Sequence, residues 1–137
     1  MAEARSGGQS ARPRSPHLGI YRWPITMGTS ILHRVTGVGL AFGTLLVAWW
    51  LVAASMGPES YDTFARVAGH WFGQLVLFGF TVALIYHAVN GVRHLFWDVG
   101  RGFKMHTANT SGIVAYVVTV ALTLIVWLVA YRSMGVI

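Results

Sequence analysis

Three long apolar runs without Lys, Arg, Asp or Glu divide the chain. They cover 35–58 (24 residues), 67–92 (26 residues) and 105–131 (27 residues). A helix needs about 20 mostly apolar residues to cross a hydrocarbon core of about 30 Å. Each run is long enough. The first holds Leu45-Leu-Val-Ala-Trp-Trp-Leu-Val-Ala, the second Leu75-Val-Leu-Phe, and the third Val117-Val-Thr-Val-Ala-Leu-Thr-Leu-Ile-Val-Trp-Leu-Val. The pattern predicts an all-α membrane protein with three transmembrane helices, over about 27–56, 67–97 and 107–132. Residues 1–24 are polar, rich in Arg, Gly, Ser and Pro, and lack the apolar core of a secretory signal. They read as an N-terminal cytoplasmic arm, mobile to about Ser15, ahead of a membrane-anchor domain over 25–137. Pro24 suits a first helical turn, where its missing N–H costs nothing.

Polar residues between the runs orient them. Arg5, Arg12, Arg14 and Arg22 lie in the arm, and Arg93, Arg101 and Lys104 lie in or beside the second loop. The first loop mixes Glu59, Asp62 and Arg66, and the C-terminus has only Arg132. Basic loops stay cytoplasmic, so the N-terminus is expected inside and the C-terminus on the outer side. Trp23, Trp71 and Trp97 sit near span ends, as interfacial aromatics do. Gly39 with Gly43, and Gly69 with Gly73, have a spacing that permits close helix contact.

Composition narrows the function classes. Hydrophobic residues make up 55% and charged residues 10% of the chain, far below the roughly 25% charge of a soluble domain. The chain has no cysteine, so it holds no disulfide, zinc–thiolate site or iron–sulfur cluster of its own. Its six histidines are the remaining strong metal ligands. The net charge of +6 belongs to topology and not to nucleic acid, since no basic patch is interleaved with aromatics.

Ionisable residues inside a span are expensive and point to function. In the second span His87, Asn90, Gly91, His94 and Asp98 share one face by helical spacing. A neutral imidazole beside a glycine can ligate a haem iron; the alternative is a histidine hydrogen-bonded to a neighbour. His87 and His94 lie about 10.5 Å apart along one helix, too far to face each other across one iron. His33, in the first span, is expected level with His94, whereas Gly37 to Leu40 fall level with His87. A second axial ligand must then come from another chain, which makes this domain half of a heterodimeric helix bundle. At the start of the first span Ser30, His33, Arg34 and Gly37 share a face. Arg34 can simply snorkel to water. Functionally, the Ser30 hydroxyl and Arg34 guanidinium can donate to a quinone oxygen. His33 and His94 then suit haem propionates near the cytoplasmic surface. Asp98 is expected to pair with Arg93 or Arg101.

These residues carry a resemblance. Arg12-Pro-Arg-Ser-Pro-His-Leu-Gly-Ile-Tyr21, Pro24-Ile-Thr, Ser30-Ile-Leu-His-Arg-Val-Thr-Gly37 and His87-Ala-Val-Asn-Gly-Val-Arg-His-Leu-Phe-Trp-Asp98 resemble the cytochrome b subunits of succinate dehydrogenase. These are the larger of the two small membrane anchors in respiratory complex II. The two span motifs together are more distinctive than either alone, and the third span matches only in hydropathy. The resemblance implies His87 as an axial ligand of haem b, with the opposite ligand from a sister anchor subunit. It implies Ser30 and Arg34 at a quinone site, with ubiquinone the expected quinone, and His33, His94 and Arg34 near the haem propionates. It implies an iron–sulfur subunit docked on Arg12 to Pro24 and a flavoprotein subunit that oxidises succinate. The N-terminal arm does not read as a transit peptide, so a bacterial inner membrane is expected in preference to a mitochondrial one. On this reading the chain alone is not catalytic.

Two alternatives stay open, and a third is set aside. A fumarate reductase anchor would run the same chemistry in reverse. A haem-free structural membrane subunit would keep the same spans. A free-standing transmembrane cytochrome b would need histidines paired at matched depth on two helices of this chain, and that pairing is not expected.

Overall fold

The computed structural model describes residues 22–136. Four helices follow in order: α1 (Ile25–Ser55), α2 (Pro58–Gly69), α3 (Trp71–Asp98) and α4 (Met105–Ser133). The arm's residues 1–21, with most of the segment expected to dock on an iron–sulfur subunit, lie outside the described residues.

α1, α3 and α4 are long and apolar enough to cross a membrane, with 31, 28 and 29 residues. At 1.5 Å per residue each exceeds the roughly 30 Å core by a turn or more at either end. Pro24 caps α1 in an extended conformation and its carbonyl accepts from Met27 and Gly28. α3 lies between α1 and α4, and α1 also touches α4, so the three spans form a triangle in section.

The first loop contains a helix that the charge-free runs did not reveal. Gly57 takes φ 102°, a conformation favouring glycine, and Pro58 then opens α2. α2 rests on α1 and α3, with Phe64 buried edge-on against Trp49. His70 breaks the helix in an extended conformation, and its Nδ1 accepts from the Phe72 N–H to cap α3. The second span therefore starts at Trp71 and not at 67.

The helix contacts are small or polar and the outside is greasy. Buried positions include Thr29, Ala53, Asn90, Ala108, Ala115, Thr119 and Thr123. Phe42, Leu45, Leu75, Val117 and Leu124 are all more than half exposed. Water would punish this arrangement, whereas lipid or a partner subunit accepts it. Between helices in lipid, association comes from close packing and hydrogen bonds.

Only one glycine of each spaced pair meets a neighbour. A Cβ on Gly43 would run into the Phe80 ring, and one on Gly73 into the Val67 and Ala68 carbonyls. Gly39 and Gly69 face open space. Backbone carbonyls cannot swing aside as a ring can. Gly73→Ala is therefore expected to cost about 1–3 kcal/mol by forcing α2 from α3. Gly39→Ala should leave the described bundle unchanged. Thermal midpoints of the two purified variants check this, and equal midpoints would refute it.

Candidate functional site

Arg93 is the hub of the bundle. It sits five residues before the end of α3 and is only 7% exposed. Its Nε donates to Ser111 Oγ (2.8 Å) and one terminal nitrogen to the Ala108 carbonyl (2.7 Å), both on α4. The other terminal nitrogen donates to Thr29 Oγ1 on α1 (3.0 Å) and to Asn90 Oδ1 one turn back (3.3 Å). The guanidinium carbon lies 4.2 Å from the Trp97 ring centroid, a cation–π contact. All four acceptors are neutral oxygens. The network thus solvates the cation without cancelling its charge, and the expected pairing of Arg93 with Asp98 gives way to it. The physical reason is supply: α1 and α4 bring hydroxyl and carbonyl oxygens to this depth, so the side chain need not snorkel out.

The same turn of α1 is tied a second time. The Tyr86 hydroxyl donates to the Thr29 carbonyl (2.9 Å), and the Tyr86 ring stacks on Tyr116 of α4. Thr29 donates its own proton to the Thr26 carbonyl, which leaves its oxygen to accept from Arg93. Thr29 and Asn90 are fully buried, and Asn90 Nδ2 has no partner among the described residues.

On the α1-facing side of α3, three histidines gather. His33 stacks on His87 with ring centroids 3.9 Å apart and planes 12° apart, and its centroid is 4.9 Å from that of His94. His33 is thus not confined to the depth of His94. His33 reaches the level of His87 as well as His94, because a side chain extends along the helix beyond its own Cα. Gly37 does lie level with His87, since a Cβ there would come within 3.2 Å of its Cε1. Even so, His33 and His87 cannot share a metal in this arrangement. Imidazole lone pairs lie in the ring planes, and two face-stacked rings do not aim them at one another.

The surroundings of His87 favour one tautomer. Its Nδ1 lies 3.2 Å from the His33 carbonyl and 3.3 Å from Thr36 Oγ1. A carbonyl can only accept. The Thr36 hydroxyl proton is directed at the Leu32 carbonyl (2.8 Å) or the His33 carbonyl (3.0 Å). The carbonyl contact is a hydrogen bond only when Nδ1 carries the proton, and the Thr36 hydroxyl, with carbonyls of its own to donate to, is compatible with that tautomer. Nε2 keeps its lone pair, the state a metal ligand needs, with the other ring nitrogen tied to a carbonyl. Beside it, Gly37 leaves the ring room, and an added Cβ on Gly91 would meet nothing within 4 Å. Among the described residues no group of three or more His, Cys, Asp or Glu could hold a bare ion. A haem iron needs no such group, since the porphyrin supplies four ligands and the protein only axial ones.

Ser30 is half-buried and directly follows Thr29, so the Arg93 and Tyr86 bonds also hold the turn that carries it. Arg34 is exposed one turn later and takes no part in the Arg93 network. His33 Nδ1 is buried without a described partner, next to His94, whose ring meets Trp97 edge-on. Asp98 is exposed. Thr29, Ser111 and the Tyr86–Tyr116 pair were not singled out by sequence reasoning. A signal existed in the polar run Thr107-Ala-Asn-Thr-Ser111 at the head of an otherwise apolar span.

Comparison with known proteins shows the family. Residues 8–126 match the family model described as succinate dehydrogenase/fumarate reductase transmembrane subunit. The succinate dehydrogenase cytochrome b556 subunit of Paracoccus denitrificans is 42% identical over 132 residues, covering 94% of this chain and 99% of that protein. The cytochrome b556 subunit of Rickettsia felis is 38% identical, covering 93% and 99%. The human mitochondrial cytochrome b560 subunit is 36% identical, covering 81% and 67%.

Proposed function

Because the chain belongs to the succinate dehydrogenase/fumarate reductase transmembrane subunit family, and so is a multi-pass inner-membrane anchor within an oxidoreductase complex, we propose that it binds haem b through His87 and forms part of the quinone site. The observation that carries the reading is the 3.2 Å contact of His87 Nδ1 with the His33 carbonyl, which assigns the ring proton to Nδ1 and leaves Nε2 to bind iron. Haem, when bound, supplies a one-electron redox centre within the membrane. The residues of this chain hold and orient it. His87 ligates, Gly37 and Gly91 leave room, and His33, His94 and Arg34 offer donors and positive charge to propionates. A sister anchor subunit would supply the second protein ligand, since the face-stacked His33 cannot share a metal with His87.

Quinone is the substrate at the α1 end of the site. Ser30 donates through its hydroxyl and Arg34 through its guanidinium to the quinone oxygens, which gain charge as electrons arrive. Those electrons come from succinate through a flavoprotein subunit and an iron–sulfur subunit. This chain has no cysteine and contributes no cluster. The N-terminal arm is assigned to the cytoplasmic side, with the basic α3–α4 loop, and the C-terminus to the outer side.

Two assays on the assembled complex test the quinone part. Ser30→Ala and Arg34→Leu are each expected to lower succinate-to-ubiquinone turnover by about 10- to 100-fold, the cost of one or two charge-assisted donors. Reduction of a water-soluble dye by succinate should change little, because it bypasses this chain. If both activities fall together, the substitutions act on assembly; if neither falls, Ser30 and Arg34 do not serve quinone.

A further inference from the structure

Opposite the histidine face, α3 and α4 leave a groove of about 600 Å³. Its walls are apolar, with Val89, Val92 and Phe96 from α3 facing Val114 and Ala115 of α4. At 100° per residue, Val89 and Phe96 lie roughly 180° around α3 from His87. The groove is thus separate from the face assigned to haem and the sister anchor.

Its two ends differ. At the loop end stand Arg101 and His106, both exposed, with Lys104 between them in sequence. Thr107, Thr110 and Ser111 bring hydroxyls to the same end, and the uncancelled Arg93 charge lies in its floor. Gly102, at φ 87°, leaves the Trp97 indole uncovered there; a Cβ would come within 3.4 Å of Nε1. The other end is lined by Val89 and Ala115 and has no charge.

The length is informative. From Val89 to Trp97 is about 12 Å along α3, and from His106 to Ala115 about 13.5 Å along α4. One leaflet of a hydrocarbon core measures about 15 Å. A transmembrane helix from a partner would use a groove running through both leaflets. This one begins at the polar boundary and stops near the middle of the span.

We propose that the α3–α4 groove binds one anionic phospholipid, its phosphate at Arg101 and His106 and an acyl chain laid between Val89, Phe96 and Val114. The headgroup sits where positive charge and hydroxyl donors meet the interface, and the chain fills the single-leaflet slot. The lipid would mortar α4, which carries no part of the histidine site, to α3. No covalent chemistry is involved.

The test uses the assembled complex in phosphatidylcholine bilayers, with spin-labelled phosphatidylglycerol and phosphatidylcholine as probes. One basic contact near the surface is worth about a fivefold preference. Wild type is expected to immobilise phosphatidylglycerol at least about fivefold better than phosphatidylcholine at one site. Arg101→Gln with His106→Gln should bring that preference to within about twofold. Val114→Trp, at an exposed position, should remove the site for both lipids by filling the slot. An unchanged preference in the charge variant, or an unchanged immobilised fraction in Val114→Trp, overturns the proposal. So does a photo-crosslinker at position 114 that captures the sister anchor in place of lipid. The haem spectrum of each variant should match wild type, which keeps this test independent of the reading of His87.

Discussion

Removing both hydroxyls from Arg93, by Thr29→Val with Ser111→Ala, is expected to destabilise the bundle by about 3 kcal/mol or more. Arg93→Met should cost less. The order follows from what each change leaves behind. The double variant strips two charge-assisted bonds, of 3.0 and 2.8 Å, from a guanidinium that stays buried. Each such bond contributes about 1.5–3 kcal/mol when its partner remains charged and unsatisfied. Arg93→Met removes the charge together with its bonds. Ser111 keeps its 3.1 Å bond to the Ala108 carbonyl, and Thr29 keeps its bond to the Thr26 carbonyl. Only Asn90 loses its partner outright, because Arg93 is the donor to its Oδ1. Interhelical hydrogen bonds in lipid often contribute only about 0.6 kcal/mol each, which sets the floor for either change. Thermal midpoints of the solubilised complexes measure the ranking. If Arg93→Met proves the worse, the cation is itself a source of stability and the network does not merely solvate it.

The spans were readable because charge is costly in lipid, and three charge-free runs therefore mark three crossings. Their ends were less readable. α2 was hidden by Glu59, Asp62 and Arg66, which look like loop residues when only charge is counted. Its signature was present as Pro58 at the first turn, with Tyr61, Phe64, Ala65 and Ala68 at helical spacing. The histidine face was readable from spacing alone, since residues three, four and seven apart must share a side. What spacing could not convey was reach. His33 meets His87 because its side chain crosses between helices, and sequence position locates only the Cα. Arg93 was misread for a related reason. A basic residue near a span end snorkels by default, and what turns this one inward is Thr29, 64 positions away, and Ser111, 18 positions away. Such acceptors become neighbours only after the helices pack.

His87→Ala is expected to abolish low-spin haem in the membrane complex, the largest single effect anticipated for this chain. Of the three clustered histidines, His87 is the one whose Nδ1 meets a backbone carbonyl, which leaves its Nε2 lone pair free. Nδ1 lies 3.2 Å from the His33 carbonyl, with the Thr36 hydroxyl flanking it at 3.3 Å. Alanine removes the ligand and leaves His33 and His94 in place. Neither has that arrangement: His33 Nδ1 has no described partner, and His94 packs against Trp97. Gly37→Val should act in the same direction more weakly. Its Cβ would press on the His87 ring from 3.2 Å and loosen the bond that orients it. The measurement is the reduced-minus-oxidised visible spectrum of membranes carrying the wild-type complex or His87→Ala, with His94→Ala alongside. The predicted result is a sharp b-type α-band in wild type and in His94→Ala, lost or converted to a high-spin form in His87→Ala. A band that survives His87→Ala and disappears in His94→Ala would contradict the assignment.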